Sequence, residues 1–447
     1  MKALDDRRFH RGFAVVALFT VLAGDAWRYS ISWYGFGVVA IVLAVVAVLL
    51  LVRTRKTWAI SRLPYPFLAF LALATISIAW SFYPGATALG LVATYLPAVV
   101  GVTLAVTLSW DDVLLVLGRT LRIILGLSLL FEFVVSVFVR SPLLPFWPSP
   151  GVDYSNLPDP IPKLLYWSRD ELFDEGGKIQ GIVGNSSLLG FVALLALVVF
   201  AIQLVGKTVS GTTGVLSVAV AALMIYLTRS ATITIALVVL AAVVVAVLLL
   251  RRLEETRGRV WAGIVVVVAA GIAVVVAFPN QLLALVGKSP DLTNRIDIWA
   301  AVIDLAQQRP VFGWGWVSYW APWVAPFNDL HKNSGVQQLH AHNAWLDIWL
   351  QLGIVGLVVF GSLVLVTLVR AWIFATNRPV GSDRVPRAFA PQTLLPLLII
   401  AALLVQSIAE SRLIVEYGIV LLTLCAVHLK AQPMPLAEVN GTVTRAR

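Results

Sequence analysis

Long unbroken apolar runs, separated by short polar connections, dominate the chain. Twelve are read, near 13–29, 35–52, 64–81, 86–108, 123–139, 187–205, 212–228, 231–250, 260–278, 343–369, 391–409 and 412–429. Runs such as Val38–Val52 and Ile235–Leu250 are continuously apolar, without the alternation of a barrel strand. About 20 apolar residues cross a bilayer as a helix, which satisfies its own backbone groups in lipid as an open sheet cannot. The pattern predicts an all-α fold, a polytopic transmembrane helical bundle of about twelve spans. Residues 1–430 read as one integral membrane domain and 431–447 as a polar, disordered cytoplasmic tail. No internal repeat stands out, so an inverted-repeat transporter gains no support.

Two long connections depart from the pattern. The first, 140–186, is rich in prolines and aromatics. The second, 279–342, lies between spans 9 and 10 and carries a predicted helix from Asn294 to Gln308, ended by Arg309-Pro310. Ile296, Trp299, Ile303 and Ala306 recur there at helical spacing, which predicts a surface helix with its apolar face on the membrane.

Composition agrees with the pattern. Of the 447 residues, 60% are hydrophobic and 13% charged, against roughly 45–50% and ~25% in soluble domains. A soluble domain, a disordered chain and a disulfide scaffold are excluded, the last because Cys425 is the single cysteine. The net charge of +10 reflects topology: about two thirds of the 33 lysines and arginines fall in the termini and the even-numbered connections. Under the positive-inside rule both termini are cytoplasmic and both long loops extracytoplasmic. No basic run is interleaved with aromatics on a polar domain, so nucleic acid is not an expected partner. No cleavable signal peptide is evident before the first run.

The candidate chemistry gathers at the outward ends. His342, in Leu339-His340-Ala341-His342-Asn343, sits at the mouth of a span and is able to take a proton from a hydroxyl near neutral pH. Its ordinary reading is a histidine bonded to a backbone carbonyl at the water boundary. Gly353 and Gly356 follow on one helix face and permit close packing with another helix. Arg229 stands in a three-residue turn on the side where arginines are scarce, and Arg295 on the surface helix. A planar cation with five donors suits phosphate, whereas anchoring by snorkelling is the ordinary reading. Trp299, Trp314, Trp316, Trp320 and Trp323 read first as an interfacial belt, and second as sugar-stacking platforms. Glu410, Arg412 and Glu416 cluster at the last outward turn and read as an internal salt bridge with a supporting role at the site. His340 and His342, with His331 and Asp329, lack the carboxylate–histidine or cysteine partners of a metal site, so none is expected. No Gly-x-Ser-x-Gly occurs for a serine hydrolase.

These features resemble the O-antigen ligase family, with its related O-antigen polymerases and protein O-oligosaccharyltransferases. The family motif is His, then Asn, Ser or Gln, nine residues, Gly, two residues, and Gly, Thr or Tyr. His342-Asn343, Gly353 and Gly356 match it in full. Arg295-Ile-Asp-Ile-Trp299 and Pro310-Val-Phe-Gly313-Trp-Gly315 are similar to the family's outer-loop helix and following turn. Arg229 matches its short arginine-bearing turn, and Gly181-Ile-Val-Gly-Asn185-Ser the segment entering the sixth span. The likeness covers roughly 180–415; the Pro-rich 140–186 segment has no family counterpart.

What the resemblance implies is a glycosyltransferase of the bacterial plasma membrane. It would transfer a glycan from a polyprenyl-pyrophosphate donor to a lipid or lipoglycan acceptor by metal-independent inverting transfer, without a cofactor. His342, Arg295 and Arg229 are the implied catalytic residues. Asn185, His340, Asn343, Trp299, Glu410 and Arg412 are the implied substrate-binding ones, and membrane lipids surround the spans. A polymerase or a protein O-oligosaccharyltransferase stays open within the superfamily. A transporter or flippase of lipid-linked glycans stays open outside it, although transporters place functional charge deep in the bundle, where Glu132 is the main acidic residue here.

Overall fold

A computed structural model describes residues 6–55, 58–150, 152–157, 159–277, 290–333, 336–378, 388–431, 438–439 and 442–443. Among the described residues its regular structure is helical, apart from an isolated bridge between Leu143 and Ser168 and two antiparallel ladders of two residues a side, 332–333 with 336–337 and 438–439 with 442–443. The helices are α1 (Arg7–Leu22), α2 (Gly24–Arg53), α3 (Tyr65–Ile76), α4 (Pro84–Thr107), α5 (Trp110–Val134), α6 (Ser186–Val205), α7 (Gly211–Thr228), α8 (Ala231–Arg252), α9 (Arg257–Ala277), α10 (Pro290–Gln307), α11 (Ala344–Thr376), α12 (Leu395–Ser407) and α13 (Glu416–Ala431). Seven of the described helices (α2, α4, α5 with its continuation to Val139, α6, α7, α8 and α11) are long and apolar enough to cross a membrane. The tail expected to be disordered lies largely outside the described residues, as does the segment 279–289 of the second long connection.

A helix that is apolar on every side belongs in the middle of a bundle. α13 is the clearest case: every residue from Tyr417 to Leu429 is buried, and the helix packs along α4 and touches α1, α11 and α12. α6 is similarly enclosed, and its Phe191 stacks on Tyr417 with ring centroids 5.0 Å apart. By contrast α2 exposes Val38, Ile41, Val42, Val45, Val48, Leu49 and Val52 on one side while burying Leu43, Ala47 and Leu50. An exposed stripe that apolar is what a lipid-facing helix requires.

Several boundaries differ from the hydropathy reading. The break expected near 30–34 is present at Ser32, whose non-helical backbone (φ 76°, ψ 166°) kinks α2, and a further break at Ala23 falls inside the first expected span. α5 begins at Trp110, thirteen residues before the expected span, because Ser109 and Asp112 form a reciprocal capping box there. Arg119 and Arg122 interrupt the apolar run and hide this start from hydropathy. The expected stripe on the second-loop helix also turns round: Ile296 is exposed, whereas Ile298, Val302, Leu305 and Ala306 are buried. α10 therefore turns this face toward the protein, packing against α11.

The connections sort to two ends. At one, Arg7 and Arg11 pair with Asp112, Gln392 reaches Asp111, and Lys430 bonds Leu63 O. At the other, Phe82 N donates to Trp314 O, Ile179 N to Leu227 O, and Asn343 N to Ser411 Oγ. All the predicted site residues lie toward this second end.

Candidate functional site

The site is built on the break in α11. Gly353 has φ 67° and ψ −165°, a conformation open essentially to glycine alone. The broken helix exchanges hydrogen bonds with the turn 310–315: Ile354 N and Val355 N donate to Pro310 O and Val311 O, while Trp314 N and Gly315 N donate to Leu350 O and Gln351 O. A Cβ on Gly353 would sit 2.1 Å from Val311 O, and one on Gly313 2.4 Å from the Gln351 carbonyl carbon. The motif glycine thus admits a backbone turn and breaks its helix, where the sequence suggested helix-to-helix packing.

This exchange fixes the N-terminal turn of α11 and the strand of chain before it. Asn343 caps the helix, its Oδ1 accepting from Trp345 N and Leu346 N at 3.0 and 3.2 Å. One turn on, buried Asp347 accepts from Ala341 N at 3.0 Å, from Trp320 Nε1 at 2.8 Å and from the Ser411 hydroxyl. Trp299 Nε1 donates to Ala341 O at 3.0 Å, so the residue between the two histidines is held from both sides. His342 itself adopts φ 50°, a left-handed conformation uncommon outside glycine and frequent at functional sites.

So positioned, the His342 ring meets a carboxylate that also holds an arginine. Glu410 Oε2 lies 3.2 Å from His342 Nδ1, and Glu410 Oε1 accepts from Arg295 Nη2 at 3.0 Å. His342 Nε2 faces Gln338 Oε1 at 3.0 Å. Burial alone would push the Glu410 carboxyl up, but His342 and the Arg295 guanidinium outweigh it and hold the group well below the usual carboxylate range. His340 receives the His342 backbone N–H on Nδ1 at 3.1 Å, the ring centroids 4.1 Å apart. Burial, reinforced by His342 and the nearby arginines, holds His340 well below the ordinary histidine value.

A second ionic group lies alongside. Arg412 Nη1 bonds the Tyr319 hydroxyl at 2.8 Å and Glu416. Glu416 also pairs with Arg28, which Asp25 holds at 2.8 Å and which Trp33 and Phe36 cover. Arg412, expected at the substrate, is therefore committed to a network joining α2, the 411–414 turn and α13. Arg28 escapes the sequence reading because it sits inside an apolar run, though an arginine there is itself a signal.

The remaining expected residues stand apart. Arg229 caps α7 in a left-handed conformation, exposed, its guanidinium 5.6 Å from the Tyr226 ring centre, and no contact joins it to His342, Glu410 or Arg295 among the described residues. Asn185 is the N-cap of α6, its Oδ1 accepting from Ser187 N and Leu188 N. Its helix packs closely on the Arg229 turn, since a Cβ on Gly190 would meet Thr228 Oγ1 at 3.1 Å. Gln338, Asp347, Ser411 and Tyr319 were not singled out in the sequence. Asp347 was findable as an acid one turn into an apolar span; Gln338 carries no signal.

One ligand atom each from His340, His342 and Glu410 lie within 4.8 Å of one another, so the three have the reach to hold a metal ion. Both Glu410 oxygens and both His342 nitrogens already have partners, and a cation would have to take the carboxylate from a guanidinium. The donor set fits a hydrogen-bonded charge relay better than a metal cage.

A comparison with curated proteins gives no match. The family model described as O-antigen ligase matches residues 216–361, the stretch from within α7 to the middle of α11. It takes in Arg229, Arg295, Trp299, His340, His342, Asn343 and both motif glycines, and leaves Asn185, Glu410 and Arg412 outside. Through that segment, about a third of the chain, the protein is similar to the O-antigen ligase family.

Proposed function

We propose that the protein is a glycosyltransferase that moves a glycan from a polyprenyl-pyrophosphate carrier to a hydroxyl on a lipid or lipoglycan. The reaction would take place at the outer face of a bacterial plasma membrane. The observation that carries this reading is the single carboxylate, Glu410, that binds both an imidazole and a guanidinium in one buried constellation. The acceptor oxygen attacks the anomeric carbon, its proton passes to His342, and the carbon–oxygen bond to pyrophosphate breaks with inversion. The electron pair leaves on the pyrophosphate. Arg295 supplies fixed positive charge to that leaving group, which counts for more at a low-dielectric boundary than in water. Arg229, exposed and without an acidic partner among the described residues, reaches the same anion from the α7–α8 turn. Asn185, at the head of the helix that packs on the Arg229 turn, and His340, Asn343 and Trp299 shape the pocket around the two substrates, while Arg412 holds the 411–414 turn in place. Twelve crossings with both termini cytoplasmic bring all of these to the outer face.

The test incubates the purified protein with a polyprenyl-pyrophosphate oligosaccharide and candidate acceptors in chelator, then weighs the products. One glycan-sized mass gain on a lipid or lipoglycan is the expected result. A ladder of repeats on the carrier would make the protein a polymerase, and vesicle flipping without transfer would make it a transporter. His342→Ala should lower transfer at least ~100-fold, the scale of a lost general base; near-wild-type turnover would remove that role.

A further inference from the structure

His342 has no free ring nitrogen. Nδ1 is tied to Glu410, which is buried and anchored by Arg295, so that side of the ring is fixed. A hydroxyl can therefore hand its proton only to Nε2, and Nε2 is where the Gln338 side chain sits, 3.0 Å away. The hold on Gln338 is slight compared with that on Glu410. Its amide nitrogen reaches Val336 O at 3.3 Å, its backbone N–H reaches His331 O at 3.2 Å, and the side chain is only half-buried. Facing the carboxylate, Nδ1 carries the ring proton, so the amide meets the imidazolium through Oε1 and, turned over, the neutral ring through its NH2 group, as an alcohol would with its oxygen or its O–H.

Building on the reading of His342 as the base, we propose that Gln338 is a stand-in for the acceptor hydroxyl. Its amide occupies Nε2 until an alcohol on a bound glycan or lipid displaces it, and it thereby selects which nucleophile reaches the base. Water is the competitor it excludes. A water at Nε2 would place its oxygen on the anomeric carbon and its proton on His342, and pyrophosphate would leave as in transfer, releasing the glycan unused. An acceptor held by contacts along its length outcompetes one weak hydrogen bond, whereas a free water or a short alcohol does not.

The test uses water and methanol as probe nucleophiles. Full-length wild type, Gln338→Ala, Gln338→Asn and the double variant Gln338→Ala/His342→Ala are given the same polyprenyl-pyrophosphate oligosaccharide without another acceptor. Free glycan and methyl glycoside are measured, with a melting curve for each protein. Both single variants should release these products about five-fold faster than wild type, the effect of removing one competing neutral hydrogen bond, with unchanged melting. The asparagine variant keeps the amide but is one methylene too short, so it should behave as the alanine variant does. No rise in either product, or a fall in both variants, would overturn the proposal and leave Gln338 a strut. The double variant separates the two readings: loss of the gained hydrolysis supports His342 as base, and its persistence would sink the base while leaving the shield in place.

Discussion

Glu410 holds the imidazole of His342 with one oxygen and the guanidinium of Arg295 with the other, so its removal touches a proton acceptor and an anion site together. Its depressed titration is a stability statement as well. With the folded-state value below the ordinary 4.5, the pairing contributes fully above about that pH and fades as pH falls toward the folded-state value. Acid above that window therefore cannot neutralise Glu410. Glu410→Gln keeps the shape of the side chain but removes the charge that orients the imidazole and the guanidinium together, so the maximal rate should fall at least ~10-fold. A maximal rate close to wild type would show that the pairing orients neither group. Of this constellation the sequence showed the members more readily than their wiring. His342 and Arg295 carry motif and charge signals, but Glu410 is 68 residues from His342, and only the 408–415 turn brings it there. Arg412 illustrates the converse, a promising cation already committed to Glu416 and Tyr319.

The elements that support the constellation meet backbone to backbone. The break at Gly353 and the turn at Gly313 each lie where the other's carbonyl leaves no room for a side chain, and four backbone hydrogen bonds cross the seam. Gly353→Ala would place a β-carbon in a glycine-only conformation, at about 1–3 kcal/mol for the backbone alone. It would also force the 310–315 turn to lift, loosening Trp314, Trp316 and the start of α11. The expected outcome is a fall of several degrees in melting temperature in detergent and loss of transfer, although residue 353 touches no substrate. A variant that melts and turns over like wild type would mean that the seam opens at little cost. Gly356→Ala tests space without the special backbone: residue 356 keeps helical backbone, but a β-carbon there would sit 2.3 Å from Leu352 Cβ, so a lower melting temperature is expected from crowding alone. Spacing alone showed that these glycines matter, and it misjudged why. A period of eleven and fourteen residues implies one face only if the helix is unbroken, and the helix breaks at the first of the two.

At the scale of the whole molecule, hydropathy found the helices because lipid and protein interior reward the same residues. For that reason it could not tell the enclosed α13 from the lipid-facing α2. It also missed the first turns of α5, where arginines interrupt the apolar run but a capping box starts the helix. Orientation rests on charge instead. The proposed topology puts the Arg7–Asp112 end in the cytoplasm and the His342 end outside, and the chain's single cysteine makes this simple to test. Cys425 is fully buried in α13, so labelling of the native protein should be negligible. Arg8 is exposed at the start of α1, and Glu175 is exposed in the 140–185 connection, which Tyr29 and Trp167 tie to the His342 end. Neither residue shares a hydrogen bond with the site, so a cysteine at each should report position without disturbing it. In right-side-out vesicles a membrane-impermeant maleimide should modify Glu175→Cys and spare Arg8→Cys, and permeabilisation should expose the latter. The opposite pattern would turn the molecule over and place His342 in the cytoplasm. There a carrier-linked glycan awaiting export would meet it on the wrong side of the membrane, and the transfer reading would fail on topology before any kinetic test.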